Sequence, residues 1–242
     1  MILSNVGGTG PKRGLRCFFG PTIVVLAGAL LAVTTALFAT HTSALATTSP
    51  LSGKKVVIDA GHGGTDPGAQ NQAYGLVEKD QNLDVAYRLK DLLQASGATI
   101  YMTRTDDENL SNTARANRAN SFKANDPGTY VLVSIHMNGS TDTTVDYTTT
   151  LFGKWRKDKA LAQTVYYDGL LPSLGIKGKA PYSYASGVLL KSNMPATIAE
   201  TVFITSDYEG NLLKNGGGTR QQQIAQALKA GLENYFLKNP NG

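Results

Sequence analysis

The sequence predicts an α/β fold whose central sheet is mostly parallel or mixed. Strand-like and helix-like segments alternate from Lys54 onward, a pattern typical of helices packed on a sheet. The segments 55–60 (KVVIDA) and 130–135 (YVLVSI) are apolar, β-branched runs of the kind that form buried strands. A long amphipathic segment over 219–237 closes the chain. We find no internal repeat and no second domain, so we expect a single domain.

The first half of this domain is predicted to carry two helices between its strands. Val85, Leu89 and Leu93 fall on one face of a helix over 80–96, and Gly97 ends it. The other predicted elements here are a strand at 99–103, a helix at 111–124 that stops before Pro127-Gly128, and the strand at 130–135.

The second half is predicted to add strands and helices of less even strength. They are a weak strand at 147–152, a helix at 157–171 that Pro172 closes, a short strand at 187–190, a longer strand at 197–205 and a flexible loop at 207–218. The last helix, over 219–237, begins with Thr219 and Gln222, which fit a capping box.

The first 46 residues have the pattern of a secretory signal peptide. Three basic residues precede an uncharged apolar run at 17–39, and small residues at Ala44 and Ala46 follow it. We expect cleavage after Ala46, a linker at 47–53 and a catalytic domain at 54–238. The alternative is an uncleaved membrane anchor, since the run at 17–39 is long enough to span a bilayer. Either reading places the domain outside the cytoplasmic membrane, in the periplasm, the cell wall or the medium.

Charge and cysteine content narrow the partners. The chain has 242 residues and a net charge of +5. Without the three basic residues of the leader, 20 basic (23 − 3) and 18 acidic side chains remain, a balance of +2. We therefore expect no nucleic-acid partner, because phosphate-binding surfaces need clustered basic residues, and we expect a monomer. Cys17, the only cysteine, lies in the leader, so a metal site in the domain must use His, Asp or Glu.

Two histidines stand where predicted strands end. His62 follows KVVIDAG and His136 follows YVLVSI. Because ligands bind at the carboxyl ends of strands in open α/β sheets, both imidazoles can converge on one metal. Glu78, before a predicted helix, is a candidate third ligand. The alternatives are two unrelated hydrogen-bonded histidines and, for Glu78, a solvated charge at a helix start.

Glu200 lies inside the apolar segment TIAETVFI. A buried carboxylate is costly unless it has a partner or a raised pKa, so this position is a candidate for function. The alternative is a structural salt bridge to a lysine or arginine. Arg115 either orients this region through a salt bridge or is an ordinary solvated charge on a helix.

Read in order, these segments resemble the zinc-dependent N-acetylmuramoyl-L-alanine amidase family (amidase type 3). The matching segments are VVIDAGHGGTDPGA at 56–69, EKDQNLDVA at 78–86, TRTDD at 103–107, RANRAN at 115–120, SIHMN at 134–138, AETVFITS at 199–206 and QQQIAQALKAGLENYF at 221–236. The resemblance implies that His62, Glu78 and His136 bind Zn²⁺ and that Glu200 is the catalytic glutamate. It also implies a single domain with a mixed, mostly parallel central sheet of about six strands flanked by helices. The implied substrate is peptidoglycan, cut between N-acetylmuramic acid and L-alanine of the stem peptide.

Two positions depart from the family pattern. Val202 replaces a common glycine, which would place a branched side chain near the site, and Met137 replaces a common alanine. Some relatives carry an inserted helix that plugs the zinc site. The 61 residues between Asn138 and Glu200 leave no room for one, so we expect an open site that needs no activator. Competing interpretations are another zinc peptidase or amidase that acts on wall peptides, and a wall-binding protein with a decayed site.

The substrate groove is expected beside loops that follow the strands, at 139–146 and 176–186. Tyr182 and Tyr184 in the second loop either stack on sugar rings or simply pack against the protein.

Overall fold

The structure, a computed structural model, describes residues 48–240. The predicted leader, with its cleavage site and its alternative role as an anchor, lies outside the described residues. Within 48–240 no helix is long and apolar enough to cross a membrane. The described residues lie in one compact unit.

Eight strands and seven α-helices build the described part of the chain. The strands are β1 (Lys55–Ala60), β2 (Gln70–Asn71), β3 (Leu76–Val77), β4 (Thr99–Met102), β5 (Tyr130–Asn138), β6 (Thr149–Phe152), β7 (Tyr182–Ser183) and β8 (Ala196–Phe203). The helices are α1 (Glu78–Ala95), α2 (Asn112–Asn125), α3 (Trp155–Thr164), α4 (Leu171–Leu174), α5 (Gly187–Lys191), α6 (Asp207–Asn215) and α7 (Thr219–Lys238), with a π-helix (Val165–Leu170) between α3 and α4.

Six strands form one mixed sheet in the order β4-β1-β5-β8-β6-β7. The four strands β4, β1, β5 and β8 run parallel, β6 is antiparallel to β8, and β7 is parallel to β6. The short strands β2 and β3 pair separately. The predicted α/β class and the mostly parallel sheet of about six strands are confirmed. Because β1, β5 and β8 are parallel neighbours, their carboxyl ends meet at one edge of the sheet.

Alternate residues of the central strands enter two different cores, as the pleat of a strand requires. Val56 and Val131 join the core formed with α1, the π-helix and α7. Val57 and Leu132 join the core formed with α2 and α5 on the other face. The central strands are therefore covered on both sides, which explains why their sequences are continuous apolar runs.

Two predicted elements are wrong in type. The segment predicted as a strand at 187–190 is helix α5, and the segment predicted as a flexible loop at 207–218 contains helix α6. Gly210 made α6 hard to recognise, since glycine disfavours helices. A Cβ at Gly210 would lie 2.5 Å from Cδ2 of Tyr74, so close packing requires the glycine.

Two predicted helix signals are also wrong. Pro172 does not close the third helix, because the chain continues helically through the π-helix and α4 to Leu174. Pro172 lies in the first turn of α4, where a missing N–H is tolerated. The predicted capping box is absent from α7, whose N-cap is Gly218 and has no side-chain cap.

Candidate metal centre

The turn after β1 presents His62 to the sheet edge. His62 has a φ of 60°, an uncommon value for a residue with a side chain. The preceding Gly61 donates its N–H to the carbonyl of Ile135 on β5 at 2.9 Å. A Cβ at Gly61 would lie no more than 2.6 Å from three ring atoms of His136. The glycine therefore lets the imidazole of His136 lie directly against the turn that carries His62.

Three side chains converge at this edge. Ligand atoms of His62, Glu78 and His136 all lie within 4.8 Å of one another. Oε1 of Glu78 is 3.2 Å from Nε2 of His62 and 3.2 Å from Nδ1 of His136. The structure thus brings together the three residues predicted to bind a metal, from the turn after β1, from α1 and from β5.

The carboxylate of Glu78 is fixed from several directions. It is buried at the start of α1 and accepts hydrogen bonds from the N–H of Ala69 at 2.8 Å, the N–H of Met137 at 3.0 Å and the amide of Asn82 at 3.2 Å. A Cβ at Gly68 would lie 2.5 Å from its Oε2. Glu78 is therefore not a solvated charge at a helix start.

The protonation of the three groups is coupled. Burial alone would raise the pKa of Glu78, but hydrogen bonds and charge from the two histidines hold it far below its usual value. Burial would lower the pKa of His62, but Glu78 and then Asp66 raise it to about 9. A cation that binds here must displace protons from imidazole, so we expect its affinity to rise with pH.

Two imidazoles and one carboxylate form a donor set that suits zinc, which in catalytic sites takes three protein ligands and leaves one position open. The side chains of His62 and His136 are 23% and 20% exposed. They face a cavity of about 400 Å³. The residues present therefore fit a zinc ion with one side open to a substrate.

Glu200 lines the same cavity. It lies on β8 directly opposite His136 of β5. Burial raises the pKa of Glu200, although the charge of His136 opposes the shift. Within 48–240 no lysine or arginine forms an ion pair with Glu200, so the structural salt bridge considered as an alternative is not found.

Val202, expected to place a branched side chain near the site, does not line the cavity. The register of β5 and β8 shifts between the pairs His136–Glu200 and Asn138–Phe203, so β8 contains one extra residue. This bulge turns Val202 into the core that also holds Ala199, fully buried and away from the cavity.

The sequence profile of N-acetylmuramoyl-L-alanine amidases matches residues 56–234. The chain belongs to this amidase family. It is 31% identical over 191 residues to N-acetylmuramoyl-L-alanine amidase LytC of Bacillus subtilis, an alignment that covers 78% of this chain. It is 31% identical over 192 residues to the probable cell wall amidase LytH of Staphylococcus aureus, an alignment that also covers 78% of this chain. The crystal structure of N-acetylmuramoyl-L-alanine amidase from Clostridium difficile 630 matches with a TM-score of 0.69 and 30% identity, covering 78% of this chain and 99% of that one.

The alignments cover 36% of LytC and 60% of LytH. The chain thus spans about a third of one amidase relative and three fifths of the other.

Sequence reasoning missed two residues that support the turn carrying His62, one of the three candidate metal ligands. Oδ2 of Asp66 lies 2.9 Å from Nδ1 of His62, and Arg104 is buried beside the turn. The spacing of four residues between His62 and Asp66 across a glycine-rich turn was a usable signal for the first. Arg115, whose role was open, is buried and pairs with Asp59 at 2.9 Å.

Proposed function

We propose that the protein hydrolyses the amide bond between N-acetylmuramic acid and L-alanine of the stem peptide in peptidoglycan. His62, Glu78 and His136 bind the zinc ion, and Glu200 is the catalytic acid–base. One observation carries the proposal: three zinc-type donors converge within 4.8 Å, and two of them, His62 and His136, line a cavity that Glu200 also lines. Family membership supports the choice of bond.

When bound, zinc would act as a Lewis acid that polarises a carbonyl group and lowers the pKa of a bound water. Glu200 accepts a proton from the water whose oxygen attacks the amide carbonyl carbon. It then donates that proton to the amide nitrogen as the carbon–nitrogen bond breaks, which releases the amine of L-alanine. Burial suits Glu200 to this exchange, because it raises the pKa of the carboxyl above its usual value.

The rim of the cavity supports a glycan substrate. Tyr182 and Tyr184 line it and are 38% and 53% exposed. Residues so exposed are not packed in a core, and an aromatic face offers a sugar ring apolar contact. We therefore assign Tyr182 and Tyr184 to contact with a sugar ring of the glycan, beside the Lys179 ammonium that lies 5.0 Å from the Tyr182 ring centroid.

The protein acts outside the cytoplasmic membrane as a monomer. Its leader either is removed after Ala46 or remains as an anchor through residues 17–39. The cavity is open to solvent, with both histidines partly exposed, so the enzyme needs no activator.

The test is to digest purified peptidoglycan with the protein, with and without a chelator, and to identify the products by mass spectrometry. We expect new N-terminal L-alanine, no new reducing sugar ends, and loss of both activity and zinc on chelation. New amino termini within the stem peptide would indicate a peptidase instead. Bound zinc without any product would indicate a wall-binding protein.

A further inference from the structure

Arg104 has an unusual set of partners for a buried cation. Its side chain is 2% exposed, and within 48–240 no carboxylate forms an ion pair with it. Its guanidinium donates to four backbone carbonyls instead: Ala60 at 2.8 Å, Gly61 at 3.0 Å, Lys79 at 2.7 Å and Asp106 at 2.8 Å. The planar fork of arginine is suited to such multiple donation.

One nitrogen of Arg104 connects the two segments that carry metal ligands. Nη2 donates both to Gly61, the residue before His62, and to Lys79, the residue after Glu78. The shared donor links the two backbones directly, and Lys79 Nζ adds a second link by donating to the carbonyl of Gly64 at 2.9 Å.

Arg115 holds the turn from the other side. Its Nη2 donates to the carbonyl of His62 at 2.6 Å and its Nη1 to that of Ala60 at 2.7 Å. Asp59 anchors the same guanidinium at 2.9 Å. His62 has a left-handed backbone that costs free energy, so contacts at its own carbonyl help to keep it there.

We propose that Arg104 and Arg115 are positioning residues that hold His62 and Glu78 at metal-binding separation before the ion arrives. Among the described residues, neither guanidinium forms a hydrogen bond or an ion pair with the side chain of a proposed ligand. Both act through the backbone, so the ordering of the site is completed on folding rather than on metal binding, and affinity rises accordingly. The inference rests on the proposed zinc site.

A lysine at either position separates this role from that of a buried charge. It keeps the charge and the aliphatic stem, but its single ammonium cannot span carbonyls of two segments in a plane. Arg88 is the control, since its hydrogen-bond partners among residues 48–240 are the side chains of Asp84 and Gln222, outside the turn of His62 and the first residues of α1.

The experiment measures zinc affinity of the whole protein by competition with a chromogenic chelator, and the visible spectrum of the cobalt form. We expect Arg104→Lys and Arg115→Lys to weaken affinity about 10–100-fold, the usual effect of losing support behind a ligand, and to shift the cobalt spectrum. Arg88→Lys should match the wild type. Wild-type affinity and spectrum in both test variants would overturn the inference. A wild-type protein that binds no zinc would overturn the zinc site itself, and this inference with it.

A second measurement needs no variant to fold. Hydrogen exchange of the wild type is followed with zinc and with chelator at the N–H of Gly61, bonded to Ile135, and of Lys79, bonded to Pro67. We expect protection at both amides to change less than about threefold on metal removal, because the arginines already order the site. A loss of protection of about a hundredfold at either amide would overturn the inference.

Discussion

Replacing Gly61 with alanine should disable the metal centre through one added methyl group. That group would lie no more than 2.6 Å from Cε1, Nε2 and Nδ1 of His136, whereas ordinary contacts begin near 3.4 Å. To restore an ordinary contact, the imidazole of His136 would have to move away by about 1 Å. The surrounding protein is close-packed, so this displacement is not absorbed easily. Gly61 does not have a positive φ, so the effect comes from the collision and not from backbone strain.

The size of the effect follows from that displacement. A ligand moved by 1 Å is expected to lower turnover about a hundredfold, and the forced contact should cost about 1–3 kcal/mol of stability. Zinc affinity and turnover are measured on the purified variant, and its free energy of unfolding is taken from urea denaturation.

Gly75→Ala is the control. Gly75 has a φ of 62° and nothing within 4 Å of its virtual Cβ. Alanine there should cost about 1–2 kcal/mol of stability from backbone strain and leave zinc affinity unchanged. Wild-type affinity and turnover in Gly61→Ala would refute the reasoning that His136 requires a glycine at this position.

Three further predictions concern charged side chains that are buried or partly buried. Glu200→Gln should retain zinc and lose turnover by about 10²–10⁴-fold, and a variant that stays fully active would remove the proton-transfer role. In the wild type, the buried carboxylate of Glu209 accepts a hydrogen bond from Nε of Arg220 at 2.8 Å. Arg220→Leu leaves this carboxylate without its cation and should lower the free energy of unfolding by about 3–5 kcal/mol in urea denaturation. A change near zero would contradict this. Burial would raise the pKa of Asp59, but Arg115 and two hydroxyl donors hold it below its ordinary 3.8. The ionised Asp59 therefore stabilises the folded protein at neutral pH, and this contribution is lost as pH falls through the folded-state pKa. The stability gap between wild type and Asp59→Asn should therefore shrink in acid below about pH 4, and a gap independent of pH would count against the pairing.

Sequence patterns predicted those parts of the fold in which a continuous run of apolar residues indicates burial. β1 and β5 are covered on both faces, so their apolar runs have few other interpretations. His62 and His136 follow those runs, and the parallel arrangement of the strands is enough to bring them together.

The missed elements depend on contacts that are distant in sequence. A five-residue apolar segment such as Gly187–Lys191 fits a strand or a helix equally well, and packing against α2 decides in favour of the helix. The glycine in α6 weakens a helical pattern, but Tyr74 and Asn71 leave no room for a side chain there.

Apart from the spacing of His62 and Asp66, the contacts that support the site were also beyond local patterns. Arg104 binds carbonyls that only the folded backbone brings together. The nearby carboxylate of Asp107 pairs with Lys79 instead, so the acidic residues beside Arg104 in the sequence do not reveal its role. The bulge in β8 reverses the face of the sheet on which the Val202 side chain lies, and no glycine or proline at this point of the sequence indicates it.

The most direct measurement is a crystal structure of the zinc-loaded protein with anomalous diffraction recorded on both sides of the zinc absorption edge. We predict one strong anomalous peak bonded to His62, Glu78 and His136, on the side of the cavity that Glu200 lines. A zinc peak elsewhere, with these three side chains free of the ion, would contradict the account.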